Sequence, residues 1–139
     1  MKVVVDVNEL FSLLIRGTSR SEAILFSENF ELIAPEFLLD EFLRNREEIL
    51  KKNHRSEADF DRLLEIFRRR ITLIPKSEFE EFVPRALSLF PEHTKDVQYL
   101  ALAIKFDCIL WTEEKLLRNQ DPVRVNNTWE LFEILKGML

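Results

Sequence analysis

The chain has 139 residues, 46% of them hydrophobic, with only two Gly and five Pro, so it reads as one folded domain and excludes disorder or low complexity. Twenty Lys+Arg against 25 Asp+Glu give a formal charge of -5, which excludes a broad cationic surface; nucleic acid would need a local basic patch or a metal ion. The single Cys108 excludes a disulfide framework, His54 and His93 are too few for a His-rich zinc centre, and no run approaches the roughly 18 apolar residues of a membrane span.

The opening Met1-Lys2-Val3-Val4-Val5-Asp6 reaches an acid too soon for a signal peptide, so a soluble, cytoplasmic protein with no membrane partner is expected. Val3, Val4 and Val5 are β-branched and consecutive, the pattern of a central strand covered on both faces. From Asn8, a candidate N-cap, Leu10, Leu13 and Leu14 recur at helical spacing until Gly17-Thr18-Ser19. A second short helix is predicted from Ser21 to Asn29, and a strand from Phe30 to Ala34.

Pro35 then suits a first helical turn, and the helix it opens carries Phe37, Leu38, Phe42 and Ile49 inward. After Lys51 to Arg55, Ser56 is read as the cap of another helix, with Phe60, Leu63, Leu64 and Phe67 on its packed side. Ile71 to Ile74 reads as a strand stopped by Pro75. Ser77 to Phe90 reads as a helix bent or divided at Pro84. Thr94 is expected to cap a helix from Lys95 to Phe106, followed by a strand from Cys108 to Trp111. Thr112 caps a short helical segment to about Leu117, Val123 to Val125 forms the last strand, and Asn127 or Thr128 caps a closing helix. Short strands alternating with longer helices predict an α/β domain, with helices on both faces of a mainly parallel sheet.

Four acidic positions stand apart from the solvated majority. Asp6 ends an apolar strand, where ligands bind in open parallel sheets; its other reading is a turn or cap residue. Glu41 lies four residues after Phe37 and three after Leu38, near the apolar stripe of its helix, whereas Asp40 falls toward solvent; the competing reading is a salt bridge to an Arg. Asp96 occupies the first turn of its helix on the sheet-facing side, where the helix dipole favours a negative charge with or without a ligand. Thr112-Glu113-Glu114 forms a second acidic strand exit, which ordinary capping also explains. If the Asp6 and Thr112 strands are neighbours and the Asp96 helix packs over them, these acids converge, and Glu41 completes the cluster. Such a group suits Mg²⁺ or Mn²⁺ and phosphodiester hydrolysis.

Val4-Val5-Asp6-Val7-Asn8, the helix holding Glu41, Asp96 ahead of Tyr99-Leu100-Ala101-Leu102-Ala103, and Ile109-Leu110-Trp111-Thr112-Glu113-Glu114-Lys115 together resemble a PIN domain over nearly the whole chain. The resemblance implies a three-layer α/β/α sandwich over residues 1–139 and an Mg²⁺- or Mn²⁺-dependent ribonuclease. It implies catalytic and metal-binding roles for Asp6, Glu41, Asp96 and Glu114, with Asn8 and Thr112 supporting the pocket. Glu114 stands where the family commonly has an aspartate, and Glu113 beside it is the alternative. Glu9 replaces the usual apolar residue after the asparagine. The resemblance also implies RNA as substrate, an antitoxin protein as a partner where the chain is the toxin of a toxin–antitoxin pair, and a homodimer.

Two other functions compete: a non-catalytic RNA-binding or protein-interaction module on the same fold, and metal-dependent phosphotransfer. Nucleotide-binding glycine motifs are absent, Cys108 within a strand reads as inert, and Trp111 reads as core. Arg68-Arg69-Arg70 is either a phosphate-contacting patch or a solvated helix end.

Overall fold

Val3, Val4 and Val5 are fully buried in the middle strand of a parallel sheet, as a β-branched run covered on both faces requires. The computed structural model describes residues 1–6, 18–53, 56–118 and 122–139. Its strands are β1 (Lys2–Val5), β2 (Glu31–Pro35), β3 (Ile71–Ile74), β4 (Ile109–Trp111) and β5 (Val125–Asn126), in the order β3-β2-β1-β4-β5. Every neighbouring pair is parallel. Val5 pairs with Trp111, so β1 and β4 end side by side and their exits open at the same sheet edge. The condition on which convergence of Asp6 and Thr112 rested is met.

The helices are α1 (Ser19–Phe26), α2 (Phe37–Arg44), α3 (Arg46–Asn53), α4 (Glu57–Arg70), α5 (Lys76–Phe79), α6 (Val83–Leu89), α7 (Val97–Phe106) and α8 (Thr128–Met138). They flank the sheet as an α/β/α sandwich. In α7, Leu100, Ala101, Leu102 and Ala103 are all buried, and the two alanines let the helix pack closely on β1, β2 and β4. Phe42 stacks on Phe60 at 5.0 Å between centroids and meets Phe67 edge-on at 5.5 Å, tying α2 to α4.

Several boundaries depart from the sequence reading for identifiable reasons. Pro35 belongs to β2, where it pairs with Ile74, and α2 begins after it at Phe37. The single helix expected through Ile49 is broken at Asn45, whose side-chain amide donates to the Glu41 carbonyl at 2.7 Å beside its own backbone N–H at 3.2 Å, capping the end of α2. Pro84 divides its segment: a 3₁₀ turn, Glu80–Phe82, separates α5 from α6. Thr18 caps α1 through a reciprocal pair of bonds with Ser21, and Asn127 caps α8 in the same way with Glu130. The helix expected after Asn8, and the side chains of Ile49 and Leu63, lie outside the described residues.

Arg70 also departs from expectation. Its guanidinium donates to the carbonyls of Leu25 at 2.9 Å and Ser27 at 2.7 Å, satisfying the end of α1, while Arg69 pairs with Glu65. Two of the three arginines of that run thus have partners within the protein.

Candidate functional site

Asp6 follows β1 directly and is 2% exposed, as is Thr112 after β4. Parallel pairing carries on past both strands, since the Asp6 N–H donates to the Trp111 carbonyl at 3.2 Å. Thr112 in turn donates its N–H to Asn126 of β5 at 3.1 Å. These backbone bonds fix the two side chains, and the Thr112 hydroxyl donates to Asp6 Oδ2 at 2.7 Å. A hydroxyl bond to a carboxylate this short is charge-assisted and orients the acid.

The same Thr112 oxygen accepts the Glu114 N–H at 3.0 Å, turning the chain tightly after β4. Thr112 therefore does not cap the following turn, as expected from sequence. Glu114 does, its Oε1 accepting the Leu116 N–H at 3.2 Å ahead of the 3₁₀ turn Lys115–Leu117. Glu113 points elsewhere. Its Oε1 accepts the Thr128 N–H at 2.7 Å, placing a carboxylate at the N-terminus of α8. The indole N–H of the buried Trp111 donates to Thr128 Oγ1 at 3.0 Å, so that ring is core and a second tie between β4 and α8.

Asp96 lies at the junction between a 3₁₀ turn, Thr94–Asp96, and α7, with no capping bond from its side chain. The helix starts two residues later than expected, and Thr94 is not its cap. Burial pushes the Asp96 carboxyl above its ordinary value, and the charges of Asp6 and Glu114 push it further, while His93 and Lys95 act in the opposite sense. The charges of Asp6 and Glu114, from two other segments of the chain, thus reach Asp96. His93, which the sequence reading set aside with zinc, belongs to this neighbourhood; its place three residues before Asp96, in a turn, was the available signal.

Glu41 is half-buried on α2 and makes no ion pair among the described residues, but it is not among the charges acting on Asp96. Asp40 is exposed, as expected. Asn8 and Glu9 lie outside the described residues. Burial raises the Cys108 thiol to about 11, which suits an inert core residue.

The donors assembled here are carboxylate and hydroxyl oxygens without sulfur, and their mutual repulsion would be relieved by a hard divalent cation. Among the described residues, however, no group of three or more His, Cys, Asp or Glu side chains is arranged to hold a metal ion. The donor chemistry fits Mg²⁺ or Mn²⁺.

A family model described as PIN domain matches residues 4–123. Among solved structures, the crystal structure of VapBC2 from Rickettsia felis bound to a DNA fragment from their promoter aligns with a TM-score of 0.72. The alignment covers 91% of this chain and 98% of that one at 14% identity, a likeness of fold. No curated protein matches the sequence.

Proposed function

Because the chain belongs to the PIN-domain family, we propose that it is a ribonuclease using Mg²⁺ or Mn²⁺ to hydrolyse phosphodiester bonds of single-stranded or structured RNA. The observation carrying this reading is that Asp6 and Glu114, which follow the adjacent parallel strands β1 and β4, both act with their charge on Asp96 at the start of α7. Like charges brought together in this way cost stability, and a cation-dependent activity is a reason to keep them.

Asp6 and Asp96 are the first carboxylates assigned to the metal, with Glu41 and Glu114 as the remaining metal-binding and catalytic acids. Thr112 holds Asp6 in one orientation and fixes the turn that carries Glu114. Asn8 is assigned a supporting role. When bound, the cation supplies a lowered pKa for the attacking water and a counter-charge for the phosphodiester oxygens. The acids' own part is to hold negative charge at fixed positions and orient water by accepting its hydrogen bonds.

The likeness to VapBC2 supports a toxin's place in a toxin–antitoxin pair, with an antitoxin protein as partner; a homodimer is part of the same reading. No helix among the described residues is long and apolar enough to cross a membrane. The test is cleavage of a single-stranded RNA by purified protein titrated with Mn²⁺. Activity lost on chelation and in Asp96→Asn supports the reading; RNA bound but never cleaved at any Mn²⁺ concentration favours a non-catalytic RNA-binding module.

A further inference from the structure

Trp129, in the first turn of α8, is 52% exposed, unusual for the largest apolar side chain. It is not bare. The Arg20 guanidinium, from α1, lies over its ring at 4.5 Å and within 6.0 Å of the Phe132 centroid. Arg20 is itself exposed and has no carboxylate partner among the described residues. Trp129 and Phe132 are three residues apart, hence on one face of α8.

This surface is anchored to the acidic edge. Glu113 and Trp111 both bond to Thr128, the residue before Trp129, and both adjoin Thr112. An exposed indole and a guanidinium without a carboxylate partner among the described residues thus begin one residue from a contact that reaches back to the Asp6–Thr112 pair.

We propose that Arg20 and Trp129 form a stacking platform for an RNA base flanking the bond to be cut, with Arg20 also meeting the neighbouring phosphate. The inference rests on the ribonuclease reading and names where the substrate strand leaves the site. Aromatic faces and guanidinium planes are the groups on which unstacked bases lie, and stacking tolerates any base because each has a π-face. Charge complementarity selects RNA over a protein surface here: on a chain of net charge -5, an exposed guanidinium held over an exposed indole is a local attraction for phosphate. Trp129 and Arg20 are positioning residues, remote from the reacting atoms.

The experiment is a titration of the full chain with a single-stranded oligoadenylate decamer in EDTA, followed by tryptophan fluorescence. The chain has two tryptophans and Trp111 is fully buried, so quenching by a stacked base reports Trp129. The wild type should quench; Trp129→Phe, which leaves only Trp111, should bind with no such quench. Trp129→Ala should weaken binding about 5- to 100-fold. Arg20→Ala should weaken it and reduce the slope of log affinity against log salt by about one. In Mn²⁺, both alanine variants should raise KM and leave kcat nearly unchanged, the mark of binding shared by ground and transition states. RNA binding and cleavage unaltered in Trp129→Ala overturns the platform while leaving the ribonuclease reading intact. Quenching and weakened binding without cleavage at any Mn²⁺ level uphold the platform as an RNA-binding surface and refute the ribonuclease. A Trp129→Ala protein that binds RNA normally but changes oligomeric state assigns the surface to a second copy of the chain and overturns the proposal.

Discussion

Replacing Thr112 by Val keeps the side-chain shape and deletes the hydroxyl that joins the two strand exits. Thr112 and Asp6 are each 2% exposed, so water cannot readily replace what is lost. The hydroxyl donates to the Asp6 carboxylate at 2.7 Å and accepts from the Glu114 N–H at 3.0 Å. A bond to a charged group contributes about 1.5–3 kcal/mol and a neutral one about 1 kcal/mol, while the added methyl recovers part of the loss. The expected net cost is about 2–3 kcal/mol. For a chain of this size that is a fall in Tm on the order of 6–12 °C, measurable by thermal denaturation in EDTA.

The Asp6→Asn background isolates the charge. Asn still accepts the hydroxyl, but through a neutral bond, so Thr112→Val should then cost only about 1 kcal/mol. Thr112→Ser, which retains the hydroxyl, should keep more of the Mn²⁺-dependent cleavage than Thr112→Val. A loss under about 0.5 kcal/mol in the wild-type background, or equal losses in both backgrounds, would refute the argument that Thr112 positions a charged Asp6.

Asp96→Asn should abolish cleavage yet stabilise the metal-free protein at pH 7. The Asp96 carboxyl is raised in the folded state, so the native protein binds the proton more tightly than the unfolded chain, and its charge opposes folding above the folded pKa. The advantage of the variant should therefore shrink as pH falls through that raised value and vanish below the ordinary value of 3.8; urea denaturation at pH 7 and pH 3 checks the sign, and an advantage that grows in acid contradicts it. Glu114→Gln should weaken cleavage more at low than at saturating Mn²⁺. Glu113→Gln should leave the Mn²⁺ dependence unchanged, because that carboxylate accepts the Thr128 N–H and, unlike Glu114, is not among the charges acting on Asp96; the reverse pattern in a Mn²⁺ titration would transfer the fourth acid to Glu113. Arg70→Ala should destabilise by about 2 kcal/mol through loss of its bonds to Leu25 and Ser27, read by urea denaturation, without altering RNA affinity. A drop in RNA affinity at full stability would restore the phosphate-patch reading.

The apolar runs announced β1 and β4 because a strand buried on both faces is apolar at consecutive positions, and β3, an edge strand with Thr72 exposed, was announced by its β-branched Ile71, Thr72 and Ile74. Chain-order punctuation also carried the cap at Asn127 and the division at Pro84. What the sequence concealed depends on partners far along the chain or on local competition. Pro35 suits either a helix start or a strand end, and only pairing with Ile74 decides. Asn45 breaks a helix that periodicity would continue. Arg70 finds its carbonyls more than forty positions earlier, beyond any local pattern. At the site, Asp6 and Thr112 were legible as polar residues ending apolar strands, and Asp96 as an acid in a first helical turn. Their shared edge followed only from the β1–β4 pairing. The separate duties of Glu113 and Glu114 were not legible, since adjacent identical side chains differ only by the direction the turn gives them.

The central place of β1 has a consequence for how the protein is made. Val3 pairs on one side with Leu32 but on the other with Ile109, on the order of a hundred residues later. At a synthesis rate of roughly 5–20 residues per second, one edge of β1 waits about 5–20 s for its partner to emerge from the ribosome. Throughout that interval Val3-Val4-Val5 presents an apolar, unpaired strand edge, the kind of segment that recruits other chains. A nascent-chain pulse-labelling experiment should accordingly find chaperone occupancy on this segment ending only as Ile109–Trp111 clears the exit tunnel.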